Sequence, residues 1–566
     1  MLTVVAMRGL SSSATAVQAA TLSTVTILFG WLGSDSVFSF CLVLRGRVDM
    51  NRKKLPIGIQ AFAKIREENC YYVDKTLLIE KLITQGSHYF LSRPRRFGKS
   101  LLIDTIGELF AGNKTLFEGL YIYDKWDWSI KYPVMRISFG GGIIKNVEDL
   151  EIKIQEQLRI NEANLQVTCS ERNSPVCLAE LIRFSHEKTG QRVVILVDEY
   201  DKPILDNLQK PELAKDIRDG LRNFYSVIKD SDAHVKFAML TGVSKFSKVS
   251  LFSGLNNLRD ITINQEFSAI CGYTNEDIDT LFAPELEGLD REQIRYWYNG
   301  YNWTGTSVYN PFDVLLLFQD RMFKAHWFET GSATFLIDLL AQRQTWLPEL
   351  NRLETDMDLL SCFDVDEIST EALMFQAGYL TIVNVEEQFG ELFYRLGYPN
   401  HEVYQSLSNA LLKRWGGGVQ VSQKIVRQKQ SLGNLLLQND FEQMQSLFTS
   451  FFASIPNDWY RNNPIAQYEG YYASVFYSYF AALGLDIVLE DVTNHGRIDM
   501  TVKFNQNVYL FEFKVVELIP NGKALEQLQN KNYAQKYQAL NQPIHLIGVE
   551  FSKESRTVIG FEVQSI

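Results

Sequence analysis

Cysteine is scarce and scattered. The 566 residues hold six, at Cys41, Cys70, Cys169, Cys177, Cys271 and Cys362, with no CxxC pair and none in the last 200 positions. That pattern speaks against a zinc ribbon or a disulfide scaffold and fits a reducing compartment, so a cytoplasmic protein is expected. Positive charge is also short. Lys plus Arg number 56 against 67 Asp plus Glu, for a net charge of −11. This argues against a protein that coats nucleic acid by bulk charge, but it leaves room for a local basic groove. Tandem repeats and low-complexity linkers are absent. So is any unbroken apolar run of the roughly 20 residues that a spanning helix needs. What remains is an ordinary globular composition, 46% hydrophobic and 22% charged, long enough for three or four domains.

Residues 1–49 form an extension of different character, poor in charge and rich in Ser, Thr, Ala and Val. The stretch from Ala19 to Gly33 is apolar but interrupted by Ser and Thr, and Asp35 follows it. A targeting segment and a membrane anchor stay open as readings. An internal start at Met50, where MNRKKLPIGIQAF opens a normal soluble sequence, is the expectation, with no stable membrane association.

From Leu55 to about Thr262, apolar strand-like runs alternate with helical periodicity. SHYFL, PVMRISF, RVVILVDEYDKP and VKFAMLTGVS read as buried strands, which together imply a covered parallel sheet. The stretch SRPRRFGKSLLIDTIGELF joins the first of these to a helix. Gly98-Lys99-Ser100 in a strand–loop–helix context is the end of a phosphate-binding (Walker A) loop, with Arg93 standing where the first Gly belongs. Backbone N–H groups at the helix start would wrap phosphate oxygens, Lys99 would reach the outer phosphates, and Ser100 would hold Mg²⁺. Asp198 and Glu199 end an apolar strand, as a Walker B pair does. Asp198 would serve the metal and Glu199 would polarise the attacking water. Thr241 or Ser244, at the next strand end, would sense the outer phosphate.

FAKIREENCYYVDKT, FLSRPRRFGKSLL, LVDEYDKP and LTGVSKFSKVSLFSGLNNL closely resemble the predicted AAA-ATPase-like family of bacterial proteins over about residues 55–262. In that family the loop is RPRRFGKS, so the resemblance makes Arg93 a norm. It implies an ATP site with Arg95, Arg96, Gly98, Lys99, Ser100, Asp198 and Thr241 as binding residues. Arg93, Arg95 and Arg96 would add charge near the phosphates. Ser247-Lys248 and Arg259 are candidates to act on a neighbouring site in a homo-oligomer.

Near the C-terminus, GRIDMTVKFNQNVYLFEFKV reads as a hairpin around Asn505-Gln506-Asn507. With Asn505-Gln506 as the loop, Asp499 falls opposite Glu512; a three-residue loop shifts the pairing by one. Glu512 and Lys514 share a face at spacing two. Asp499 and Glu512 would bind Mg²⁺ or Mn²⁺, and Lys514 would orient a metal-activated water. The pattern D-x₁₂-E-x-K resembles the PD-(D/E)XK nuclease superfamily, and the tail from about Tyr468 resembles the nuclease-like domain that follows this ATPase-like domain. The resemblance makes Glu469 the helix acid of the site and places Gln527 and Lys531 on its polar helix. Lys523, Lys531 and Lys536 would face a phosphate backbone. Nucleic acid is the implied partner, DNA ahead of RNA.

The expected organisation is therefore α/β: an extension at 1–49, a P-loop domain at 50–270, and a mostly helical lid or middle region at 271–400. A helical linker at 401–463 and the nuclease-like domain at 464–566 complete it. Aromatic stretches of the middle region, such as YNGYNW, serve packing or base stacking. The expected function is an ATPase whose nucleotide state controls a metal-dependent nuclease tail, with an ATP-gated binding switch as the alternative.

Overall fold

The computed structural model describes residues 52–245, 257–331, 336–337, 339–340, 350, 353–357, 360, 369–415, 419–454, 469–517 and 519–566. The expectations for residues 1–49, Met50, Ser247-Lys248 and the Asn462–Pro464 boundary lie outside these. Residues Lys54–Ile566 make one compact unit.

Its first layer is a five-stranded sheet of β1 (His88–Ser92), β2 (Val134–Ser138), β3 (Val193–Asp198), β4 (Val235–Gly242) and β5 (Arg259–Asp260). The order is β2-β3-β4-β1-β5, and every pair is parallel. β1 and β3 are buried along their whole lengths. A strand buried on both faces has no polar alternation, which is why HYFLS and VVILV read as continuous apolar runs. The helix Lys99–Phe110 follows β1 and buries Leu102, Ile103, Ile106, Leu109 and Phe110. That i, i+1, i+4, i+7, i+8 stripe fastens the helix across β3 and β4. At about 1.5–3 kcal/mol per buried side chain, the stripe outweighs the poor helix propensity of Gly107 within it.

The middle region is mostly helical, and it also contains two small antiparallel sheets. One pairs β6 (Asn299–Tyr301) with β7 (Val308–Tyr309). The other orders β8 (Glu354–Asp356), β10 (Glu391–Gly397) and β9 (Thr381–Gln388).

The C-terminal sheet runs β11 (Asp486–Thr493), β12 (Gly496–Phe504), β13 (Asn507–Val516), β14 (Ile544–Ser552) and β15 (Val558–Ser565), in sequence order. β13 and β14 are parallel and the other pairs antiparallel. The crossover between the parallel pair carries the helix Lys523–Asn530. β13 alternates cleanly. Phe511 and Phe513 face Phe476 of the helix Glu469–Ala482, whereas Val508 and Leu510 share a second core with Leu528 and Tyr533. Glu512 belongs to that second face.

One expectation about cysteine is corrected. Cys169 and Cys177 form a disulfide, and Cys70 and Cys271 are free and buried. Cys169 lies in the loop after the helix Val147–Leu165 and Cys177 in the first turn of Ser174–Thr189, so the loop between the two helices brings them together. Among the described residues no helix is long and apolar enough to cross a membrane.

Candidate functional site

The GKS loop leaves the C-terminal end of β1, between β4 and β5. Open α/β sheets bind ligands at that edge, outside the carboxyl ends of the strands. A cleft of about 500 Å³ lies there, lined by Arg95, Arg96, Gly98, Lys99, Ser100, Glu199 and Asp201 on one side. Pro56, Ile59, Tyr273, Phe312 and Leu315 give it an apolar side. The volume and the division into charged and apolar walls fit a nucleotide, with phosphates at the helix start and a base against the apolar wall.

Lys99 is buried, and its Nζ donates to the carbonyls of Arg93 (2.9 Å) and Pro94 (3.0 Å). Burial pulls its ammonium below the ordinary lysine range, opposed chiefly by Asp198. Asp198 ends β3 and accepts the Thr241 hydroxyl at 2.8 Å and the Glu199 N–H at 3.1 Å. Glu199 holds a left-handed backbone at φ 53°, an uncommon setting for a residue with a side chain. Burial first, then Asp198, raises its carboxyl above the usual range, the direction a proton acceptor needs.

Two placements correct the sequence reading. Thr241 does not line the cleft: it is fully buried and its hydroxyl is committed to Asp198 and the Val197 carbonyl, so it positions the acid. Arg93 adds no charge to the cleft. Its guanidinium is fully buried and turns away to donate to the carbonyls of Ser92, Thr262 and Phe267, with Trp303 stacked 3.9 Å from it. Arg259 sits on edge strand β5 and donates to Gln85 at 3.2 Å.

Sequence reasoning passed over Asp201, which lines the cleft although almost wholly buried. Its Oδ2 accepts the N–H groups of Val243 and Ser244 at 3.0 and 2.6 Å, which fixes the end of β4. Burial raises its carboxyl to about 6. The available signal was the third acid in D-E-Y-D, one turn past the strand.

The second site lies in the C-terminal sheet. The hairpin turns at Asn505 and Gln506, with φ 47° and 59°, and pairs Phe504 with Asn507 through Met500 with Phe511. The pairing ends there, so Asp499 and Glu512 are next in register without being a ladder pair. β12 changes faces at this point: Met500 lies in the main core, Ile498 in the second one. Asp499 instead reaches β13 with its side chain, accepting the Phe513 N–H at 2.8 Å.

Glu512 is 1% exposed. Its Oε1 accepts Lys514 Nζ at 3.2 Å and the Gln527 amide. Tyr533, which sequence reasoning missed, completes the group. Its hydroxyl lies within electrostatic reach of Glu512, Asp499 and Lys514, and burial raises it above the usual phenol range. Gly496 leaves room for the hydroxyl, since a Cβ there would lie 2.6 Å from it. The two carboxylates are hard-oxygen donors suited to Mg²⁺ or Mn²⁺, and the Lys514 ammonium stands beside them.

Other predicted members divide. Lys523 and Lys531 are exposed on this side of the sheet. Lys536 is exposed and pairs with the buried Asp491, which also holds Tyr537 and Thr501. Glu469 opens the helix Glu469–Ala482, whose body packs on the opposite face of β13. Its side chain lies outside the described residues.

Comparison with known proteins places two domains on the chain. The profile described as "Predicted AAA-ATPase" matches residues 56–252, and that of the PD-(D/E)XK nuclease superfamily matches residues 467–561. A protein of Azotobacter chroococcum mcd 1, described as "Uncharacterized protein in vnfD 5'region", is 65% identical over 518 residues, 91% of this chain and 100% of its own length. No solved structure matches.

Proposed function

Because the chain belongs to the predicted AAA-ATPase-like family, with a PD-(D/E)XK nuclease-superfamily domain at its C-terminal end, we propose that it is an ATPase. Its nucleotide state would control metal-dependent cleavage of nucleic acid. The carrying observation is that two separately built polar sites, one around Lys99 and Asp198 and one around Asp499 and Glu512, lie in one compact unit.

In the first site Lys99, Arg95 and Arg96 bind the phosphates and Ser100 and Asp198 hold Mg²⁺. Glu199 takes the proton of the attacking water, and Thr241 and Asp201 keep the strand ends in place. In the second, Asp499 and Glu512 hold Mg²⁺ or Mn²⁺, with Lys514 and Gln527 orienting groups around them. A bound divalent ion supplies Lewis-acid stabilisation of phosphate charge and a water of lowered pKa. Glu469 is assigned the helix-acid role of the superfamily, and Lys523 and Lys531 contact the phosphate backbone.

A second reading is favoured by one observation. Glu512 Oε1 already takes two protein donors, which suits a tail that binds nucleic acid without cutting. The test assays the full chain, Lys99→Ala and Glu512→Ala on single- and double-stranded DNA and RNA, with Mg²⁺ or Mn²⁺, with and without ATP. Metal-dependent cutting should fall at least about a hundredfold in Glu512→Ala and lose its ATP response in Lys99→Ala. ATP binding without cutting on any substrate would favour the second reading.

A further inference from the structure

All five residues between Ser92 and Gly98 touch the middle region. Arg93 stacks on Trp303 at 3.9 Å, and Arg96 lies 4.8 Å over Phe312. Phe97 meets Tyr301 edge-on at 4.7 Å. Pro94 packs so closely on Gly378 that a Cβ there would come within 2.7 Å of it. The Arg95 carbonyl accepts the indole N–H of Trp327 at 3.1 Å.

Trp327 carries the connection onward. Its backbone N–H donates to Glu402 Oε1 at 2.8 Å, and Phe328 N–H donates to the same oxygen at 3.3 Å. Glu402 is fully buried in the first turn of the helix His401–Trp415. That helix is fixed to the C-terminal domain: Gln405 donates to the Ala482 carbonyl at 3.5 Å and Tyr404 packs on Tyr477, while Lys429 of the next helix, Val419–Gln438, donates to Asn409 Oδ1 at 2.9 Å and to the same carbonyl at 3.0 Å. The helix Glu469–Ala482 in turn rests on Phe511 and Phe513, the neighbours of Glu512.

A second arm reaches the same carboxylate. Asp313 follows Phe312 of the cleft wall and is also fully buried, beside Glu402. Burial, then Glu402, raises the Asp313 carboxyl well above the ordinary range. Two buried carboxyls cost stability. Their position, where both arms from the cleft meet the helix that carries the C-terminal domain, supplies a reason to keep them.

We infer that Trp327 and Glu402 form the junction through which nucleotide at Lys99 resets the C-terminal domain. This rests on the ATP reading above. Lys99 now bonds the Arg93 and Pro94 carbonyls. Phosphates that draw its ammonium away leave those carbonyls without their donor. The loop then shifts at Arg95, and Trp327 passes the shift to Glu402. Trp327 and Glu402 are positioning residues, because neither lines the cleft.

The experiment measures amide hydrogen exchange of residues 401–415 and 469–482 in the full chain, with and without MgATP, beside the MgATP dissociation constant. The variants are Trp327→Phe, Glu402→Gln and Glu402→Leu. Wild type should change exchange in 469–482 by about fivefold on binding MgATP. Trp327→Phe, which keeps the ring packing and loses the indole donor, should bind MgATP within about threefold of wild type yet lose that change. Glu402→Gln retains an acceptor for both N–H groups and should transmit; Glu402→Leu should not. That pair decides the matter if Trp327→Phe does not fold. Transmission through Trp327→Phe, or through Glu402→Leu, overturns the junction. A wild type that binds MgATP with unchanged exchange in 469–482 also overturns it while the ATP site stands. A wild type that does not bind MgATP sinks both.

Discussion

Asp201 shows how a single side chain can be both structural and titratable. It holds two backbone N–H groups at the end of β4 and sits in the wall of the cleft. Burial is the main cause of its carboxyl rising to about 6, against the N–H donors and Lys99. An unfolded Asp titrates near 3.9, so the native state binds the extra proton between about pH 4 and 6. Asp201 therefore supports the fold fully below about pH 4, and that support is lost as pH rises through about 6. Asp201→Asn keeps an oxygen for both N–H groups and cannot ionise. In nucleotide-free denaturant titrations, wild type should lose about 3 kcal/mol relative to this variant between pH 4 and 7. A difference flat with pH would show that Asp201 ionises normally. The local sequence marks the acid but not its burial. Asp201 stands just past the pair Asp198 and Glu199, and only the fold around Val243 and Ser244 takes it inside.

The elements divide by how local their causes are. β1, β3 and β4 were legible because strands buried on both faces must be apolar throughout. The β12–β13 turn was legible because Asn505-Gln506 interrupts two runs of β formers. Both turn residues have positive φ, where glycine is unstrained and glutamine is not. Gln506→Gly should therefore raise stability by about 0.5–1 kcal/mol, read as a shift in the denaturation midpoint at constant slope. A destabilised variant would mean that the Gln506 side chain contributes more than its backbone costs. The sheet of β8, β9 and β10 escaped notice because β9 is Glu- and Gln-rich and exposed over most of its length, with no alternation strong enough to separate it from a helix surface. The Asp499–Glu512 pairing was half legible. The register was countable from the turn, while the face change after Met500 depends on which core each neighbour enters.

At the scale of the whole molecule, the boundary between linker and tail is not where the helix Glu469–Ala482 ends its contacts. From Tyr472 to Ala482 every residue of that helix is buried, as a helix without a polar stripe must be. Phe476 stacks on Phe448 at 3.7 Å, Tyr479 meets Phe451 at 4.7 Å, and Tyr477 meets Tyr404 at 5.9 Å. A fragment of residues 464–566 exposes those rings and should aggregate or bind a hydrophobic dye. A fragment of residues 401–566 covers them and should elute as a discrete species from size exclusion. A soluble, dye-silent short fragment would contradict this. One more consequence follows from Arg93. A loop with glycine in that place closes on its own, whereas here the turn is clamped by Thr262, Phe267 and Trp303 from later in the chain. On the ribosome, the segment carrying Lys99 emerges well before those partners. The chain thus acquires its GKS loop geometry late in synthesis, once the middle region has been made, and a truncated nascent chain carries the motif without the shape.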